Sequence, residues 1–100
     1  MINENLEYEF MGFDPEYEIK TFIATVAHKL YFSAPSDSAI KLVVKKGQGM
    51  VKASCRIASQ VGIFVAEASS ENPICAIQQL EKRIKHQLDS WKMNRFKRAE

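Results

Sequence analysis

Gly62–Leu80 reads GIFVAEASSENPICAIQQL, and the hydrophobic period changes inside it. Up to Ala68, the residues Phe64, Ala66 and Ala68 alternate with Ile63, Val65 and Glu67, which is the two-residue period of a strand. From Pro73 onward, Ile77 and Leu80 begin a stripe at helical spacing that Ile84, Leu88 and Trp91 continue. The switch falls in Ser69-Ser70-Glu71-Asn72-Pro73, where Asn72 suits an N-cap and Pro73 the first helical position. A strand therefore feeds directly into a long amphipathic helix. Small side chains at Ala66 and Ala68 let that helix lie close to the sheet. This is a helix layer on a sheet layer.

Upstream, Leu6, Tyr8 and Phe10 alternate with Glu7, Glu9 and Met11, a half-buried strand that Gly12 ends. Asp14-Pro15-Glu16 reads as a helix start, with Asp14 as N-cap and Pro15 at the first position. Ile19, Phe22, Ile23, Val26 and Leu30 follow at helical spacing, and the helix ends by Ser33, ahead of Ala34-Pro35. Ile40, Leu42 and Val44 mark a second strand. Lys45-Lys46-Gly47-Gln48-Gly49 is read as a turn. Val51, Ala53, Cys55 and Ile57 mark a third strand, and a looser turn at Ser59–Gly62 leads back to the opening stretch. The order is β-α-β-β-β-α, an α+β fold: a four-stranded sheet with two helices packed on one face and the last three strands in an antiparallel meander. The other sheet face carries Lys41, Val43, Lys52, Ser54, Arg56, Ile63 and Val65. If Val43, Ile63 and Val65 are neighbours, they offer an apolar patch for weak self-association.

One hundred residues make one domain, with 1–92 as the folded unit and 93–100 as a short basic tail that frays. The apolar share of 46% and charged share of 26% are those of a soluble globular protein. No apolar run approaches a membrane span. MINENLEYEF lacks the basic and apolar regions of a secretory signal, so the expected location is the cytoplasm. Cys55 and Cys75 fit neither a metal pattern nor a CxxC pair, and each reads as a small buried hydrophobe. His28 and His86 have no partner at metal-ligand spacing. Gly47-x-Gly49 is a hairpin turn rather than a phosphate-cradling loop, and no hydrolase, nucleotide or dinucleotide motif is present. The expectation is a protein that is not an enzyme, with no cofactor and no metal.

Net charge is only +2, but residues 1–19 hold six acids and no Lys or Arg, while 81–100 hold seven Lys or Arg and three acids. The basic end points to an anionic partner. At ~100° per residue, Arg83, His86, Gln87 and Ser90 form a ladder along one flank of the buried stripe, with Lys82, Lys85 and Lys92 toward the other. Lys and Arg supply charge for phosphates, and Gln and Ser supply neutral hydrogen bonds. A structured RNA suits this mixture better than an acidic protein does.

In its element order the chain resembles the ribosome hibernation-promoting factors, also called ribosome-associated inhibitors of translation, in their short form. The run Gly62 to Lys92 is similar to that family's last strand and helix. Ala76-Ile77 stands in its Ala-Ile place, Arg83-Ile84-Lys85-His86-Gln87-Leu88 in its Lys-Leu-x-Arg-Gln-Leu place, and Lys92 on the basic positions that follow. Met11-Gly12, Lys29-Leu30 and Lys52-Ala53 match upstream elements. The resemblance implies binding to the small ribosomal subunit and its ribosomal RNA in the decoding channel. Translation would stop because messenger and transfer RNA are occluded under stress. It implies an RNA-binding set of Lys29, Lys52, Lys82, Arg83, Lys85, His86, Gln87 and Lys92, and gives no role to DNA or a membrane. His86 departs from the family, which has Arg there, and the first helix has only Lys20 and Lys29. Two other readings stand beside it. One is a double-stranded-RNA-binding domain, against which Asn72-Pro73-Ile74-Cys75 offers no lysine at the start of the last helix. The other is a protein-interaction module using the open sheet face.

Overall fold

The computed structural model describes residues 6–98, with side chains described up to Met93. The elements are β1 (Leu6–Met11), α1 (Tyr17–Ser33), β2 (Ala39–Lys46), β3 (Val51–Ser59), β4 (Gly62–Ser70) and α2 (Pro73–Arg98). The strands stand in the order β1-β2-β3-β4. β1 pairs with β2 in parallel, and α1 supplies the crossover that a parallel pair requires. β2, β3 and β4 form the antiparallel meander. α1 lies over β1 and β2, α2 over β3 and β4, and the helices touch each other. The fold is the α+β architecture that the two periodicities imply.

Between the layers sits one core. Ile23, Val26, Ala27 and Leu30 enter it from α1, and Ala76, Ile77, Leu80, Ile84 and Leu88 from α2. Ile40, Leu42, Val44, Val51, Ala53, Cys55, Ile57, Ala66 and Ala68 meet them from the sheet. Trp91 extends the helical stripe and stacks edge-on against Phe64 at 6.3 Å. Burial pushes the Cys55 thiol up from its ordinary 9.0 to about 12, so it stays protonated as a small hydrophobe. Cys75 is exposed.

Asn72 caps α2 as expected, its Oδ1 accepting from the Ile74 N–H at 2.8 Å. The start of α1 differs from the reading of Asp14 and Pro15. The helix begins at Tyr17 with Glu16 as the extended N-cap residue, and no side chain caps it. Pro15 is buried, and Asp14 to Glu16 stand ahead of the helix. Asp14 instead pairs with Lys20 at 3.6 Å. Lys45 and Lys46 belong to β2 rather than to the turn, which is closed by the Gly47 N–H donating to the Met50 carbonyl at 2.8 Å. Ser69 and Ser70 likewise complete β4.

α2 is the longest element. Its 26 residues run to Arg98 without a break. Side chains from residue 94 onward lie outside the described residues. A helix of that length spans roughly 39 Å, against roughly 30 Å for a nine-residue strand such as β4. The helix therefore outlasts the sheet that it covers.

On the uncovered face, the register sets Lys41 opposite Arg56 and Lys45 opposite Lys52. Like charges directly opposite cost about 0.2–1 kcal/mol per pair. Val43 lies opposite Ser54, while Val65 lies opposite Arg56 and Ile63 opposite Ala58. β3 thus separates Val43 from the other two, and the three do not form one patch.

Candidate functional site

α2 presents its polar residues in three directions around the buried stripe. The first direction is the outer edge of β4. Arg83 Nη1 donates to the Glu67 carbonyl, and Gln87 Nε2 donates to the Val65 carbonyl at 2.7 Å. Four residues of helix rise about 6 Å and two residues of strand about 6.6 Å, so successive turns of α2 meet successive outward carbonyls of β4. These two side chains from the predicted RNA-binding set therefore satisfy backbone groups of an edge strand that would otherwise need water.

The bonds are exposed to solvent, so each contributes about 0.5–1 kcal/mol. The double variant Arg83→Ala, Gln87→Ala is expected to lose about 1–2 kcal/mol, with a melting midpoint about 5–12 °C lower. Thermal unfolding followed by circular dichroism checks this, and an unchanged midpoint would show that the edge bonds add nothing.

The second direction is the groove between the helices. Lys29, Leu30, Phe32 and Ser33 of α1 line it together with Glu81 and Lys85 of α2. The groove brings Lys29 and Lys85, distant in sequence, into one lining that holds a single acid, Glu81. Phe32 rims it and is 82% exposed. Sequence reasoning passed over Phe32, although its spacing from Ile23 puts it opposite the buried stripe at ~100° per residue. Lys92 lies on this same flank of α2, one turn beyond Leu88, and is half-buried.

The third direction is straight out. Lys82 and His86 are exposed on the outermost ridge, and Lys82 borders a shallow depression with Cys75, Gln78, Gln79 and Glu81. Lys52 stands apart from all of these. It lies on the uncovered sheet face, paired with Glu67 at 3.3 Å, so the eight residues do not make one surface. Lys29, Lys82, Lys85, His86 and Lys92 share the helix side. Arg83 and Gln87 brace its margin, and Lys52 faces the other way.

No group of three or more metal-ligating side chains occurs among the described residues. Among the described residues, no helix is long and apolar enough to cross a membrane.

A scan of protein-family models and a search of curated proteins found no match to this chain. Solved structures do match it in shape. The N-terminal domain of Protein Y from Thermus thermophilus superposes with a TM-score of 0.72 at 13% identity, over 85% of this chain and 94% of that one. A ribosomal subunit interface protein from Coxiella burnetii superposes with a TM-score of 0.68 at 14% identity, over 88% of this chain and 99% of that one. At such identities the likeness is one of fold, and the β-α-β-β-β-α chain shares its fold with these two proteins.

Proposed function

We propose that this protein binds the ribosome and inhibits translation as a hibernation factor. Its helix side would dock against ribosomal RNA in the decoding channel of the small subunit, where it would exclude messenger and transfer RNA. The observation that carries this reading is the meeting of Lys29 and Lys85 in the groove between α1 and α2, within a fold shared with a ribosomal subunit interface protein. Two ammonium groups beside an exposed aromatic ring fit phosphates and an adjacent base. Lys82 and His86 widen the basic ridge, and Lys92 extends it toward the end of the helix. Arg83 keeps further N–H groups beyond the one given to Glu67, so bracing the edge does not remove it from a phosphate's reach.

The test is co-sedimentation of the purified protein with separated ribosomal subunits across a salt series. Binding to the small subunit that weakens steeply with salt is expected, because phosphate contacts release counterions. Lys29→Ala with Lys85→Ala should lower the slope of log affinity against log salt by about two. Both residues are exposed, so the fold should change by less than about 0.5 kcal/mol. Absence of small-subunit binding at low salt would overturn the proposal.

A further inference from the structure

We infer that the uncovered sheet face is a second anion-binding surface, which takes the phosphate backbone of a paired RNA stem through Lys41, Lys45, Lys52 and Arg56. The register sets Lys41 directly opposite Arg56 and Lys45 directly opposite Lys52. Four cations therefore occupy the two central strands of a four-stranded sheet, and all four are exposed. Directly opposed like charges destabilise a sheet, and a departure from the local rules of stability marks the places where function is expected.

The acids of this face stand to its sides. Glu7 and Glu9 lie on β1 and Glu67 on β4, the two edge strands, so the centre is left basic. The register puts Glu7 beside Lys41, and Glu67 pairs with Lys52. Among the described residues Lys41, Lys45 and Arg56 have no ion pair, and they are the cations free to meet a ligand. The two opposed pairs are four residues apart along each strand, roughly 13 Å. Val43 and Ser54, which carry no charge, lie between them.

The kind of RNA follows from what the face lacks. Single strands are held by stacking their bases on aromatic rings. None of the outward residues of β1 to β4 is aromatic: beside the four cations they are acids, aliphatic residues and small residues. What remains is charge without a platform, which suits the phosphates of a duplex whose bases are already stacked. The surface is distinct from the helix side, so the inference stands whether or not that side docks on a ribosome.

The experiment titrates the full chain with a short RNA duplex of mixed sequence, and with a single strand of equal length, across a salt series. Lys45→Thr with Arg56→Thr removes one cation from each opposed pair and keeps β-branched residues in the strands. The expected result is duplex affinity lowered about tenfold or more at low salt, and a salt slope lower by about two. The melting midpoint should hold or rise, because repulsion is relieved. Loss of duplex binding without loss of stability separates a ligand surface from a structural one. Unchanged duplex affinity and slope in this variant would overturn the inference. So would tighter binding of the single strand than of the duplex. A third overturning result is loss of duplex binding in Lys29→Ala, Lys85→Ala alone, which would assign the duplex to the helix side.

Discussion

Ile84→Ala is expected to lower stability by about 3–4 kcal/mol, within the range for large-to-small changes at buried aliphatic positions. Ile84 is fully buried, on the same stripe as Leu80 and Leu88. Arg83 and Gln87 tie its turn of α2 to Glu67 and Val65, which places that turn alongside Ala66 and Ala68. These alanines have no side-chain reach to fill a void, and α2 is bonded to β4 one residue before the site and three residues after it. The cavity therefore stays open, and its cost adds to the lost transfer energy. For a chain of 100 residues the melting midpoint should fall by roughly 15–25 °C. Urea unfolding should show a lower midpoint with an unchanged slope. Val65→Ala, at a position 57% exposed, is the control and should stay within about 0.5 kcal/mol. A loss below about 1 kcal/mol at Ile84 would mean that the helix shifts to close the space.

The second large effect lies at the end of β1. Gly12→Ala is expected to cost about 2–4 kcal/mol, combining a left-handed backbone with a collision. Gly12 has φ +83°, and a Cβ there would stand 2.7 Å from the Lys46 carbonyl oxygen. That oxygen belongs to the backbone of β2 and cannot move aside without disturbing the parallel β1–β2 pair. Gly49→Ala supplies the comparison. Gly49 has φ +75° with nothing within 4 Å of the added Cβ, so it should lose only about 1 kcal/mol. The difference between the two, measured by denaturant unfolding, isolates the collision. Equal losses at both glycines would show that β2 yields.

Much of this fold is written in Gly62–Leu80. Alternation fixes which face of β4 is covered, and Asn72-Pro73 fixes where α2 begins. Periodicity assigns a residue to a face but says nothing about its neighbour across a gap. The parallel pairing of β1 with β2 was therefore not legible, nor was the meeting of Lys29 with Lys85, which depends on how far one helix is offset along the other. Arg83 and Gln87 were read as ligands because a helical wheel shows them flanking the buried stripe. It does not show that the edge of β4 runs beneath that flank. Lys45-Lys46-Gly47 lacks apolar alternation and so reads as a turn. The place of Lys45 in β2 comes from pairing with β3, and the opposed cations come with it. At Asp14-Pro15 the capping pattern does not start the helix, which begins at Tyr17 behind an uncapped Glu16.

The bracing of β4 has a consequence for how this sheet can join others. A sheet has two edges, and each is a valence for strand addition. α2 occupies one of them through Arg83 and Gln87. Among the described residues, no side chain bonds the outer edge of β1. Among the described residues, β4 is thus the edge that carries side-chain bracing, and β1 is the edge without it. Propagating β-stacking needs a free edge on each side of every unit, and this architecture denies it the second one.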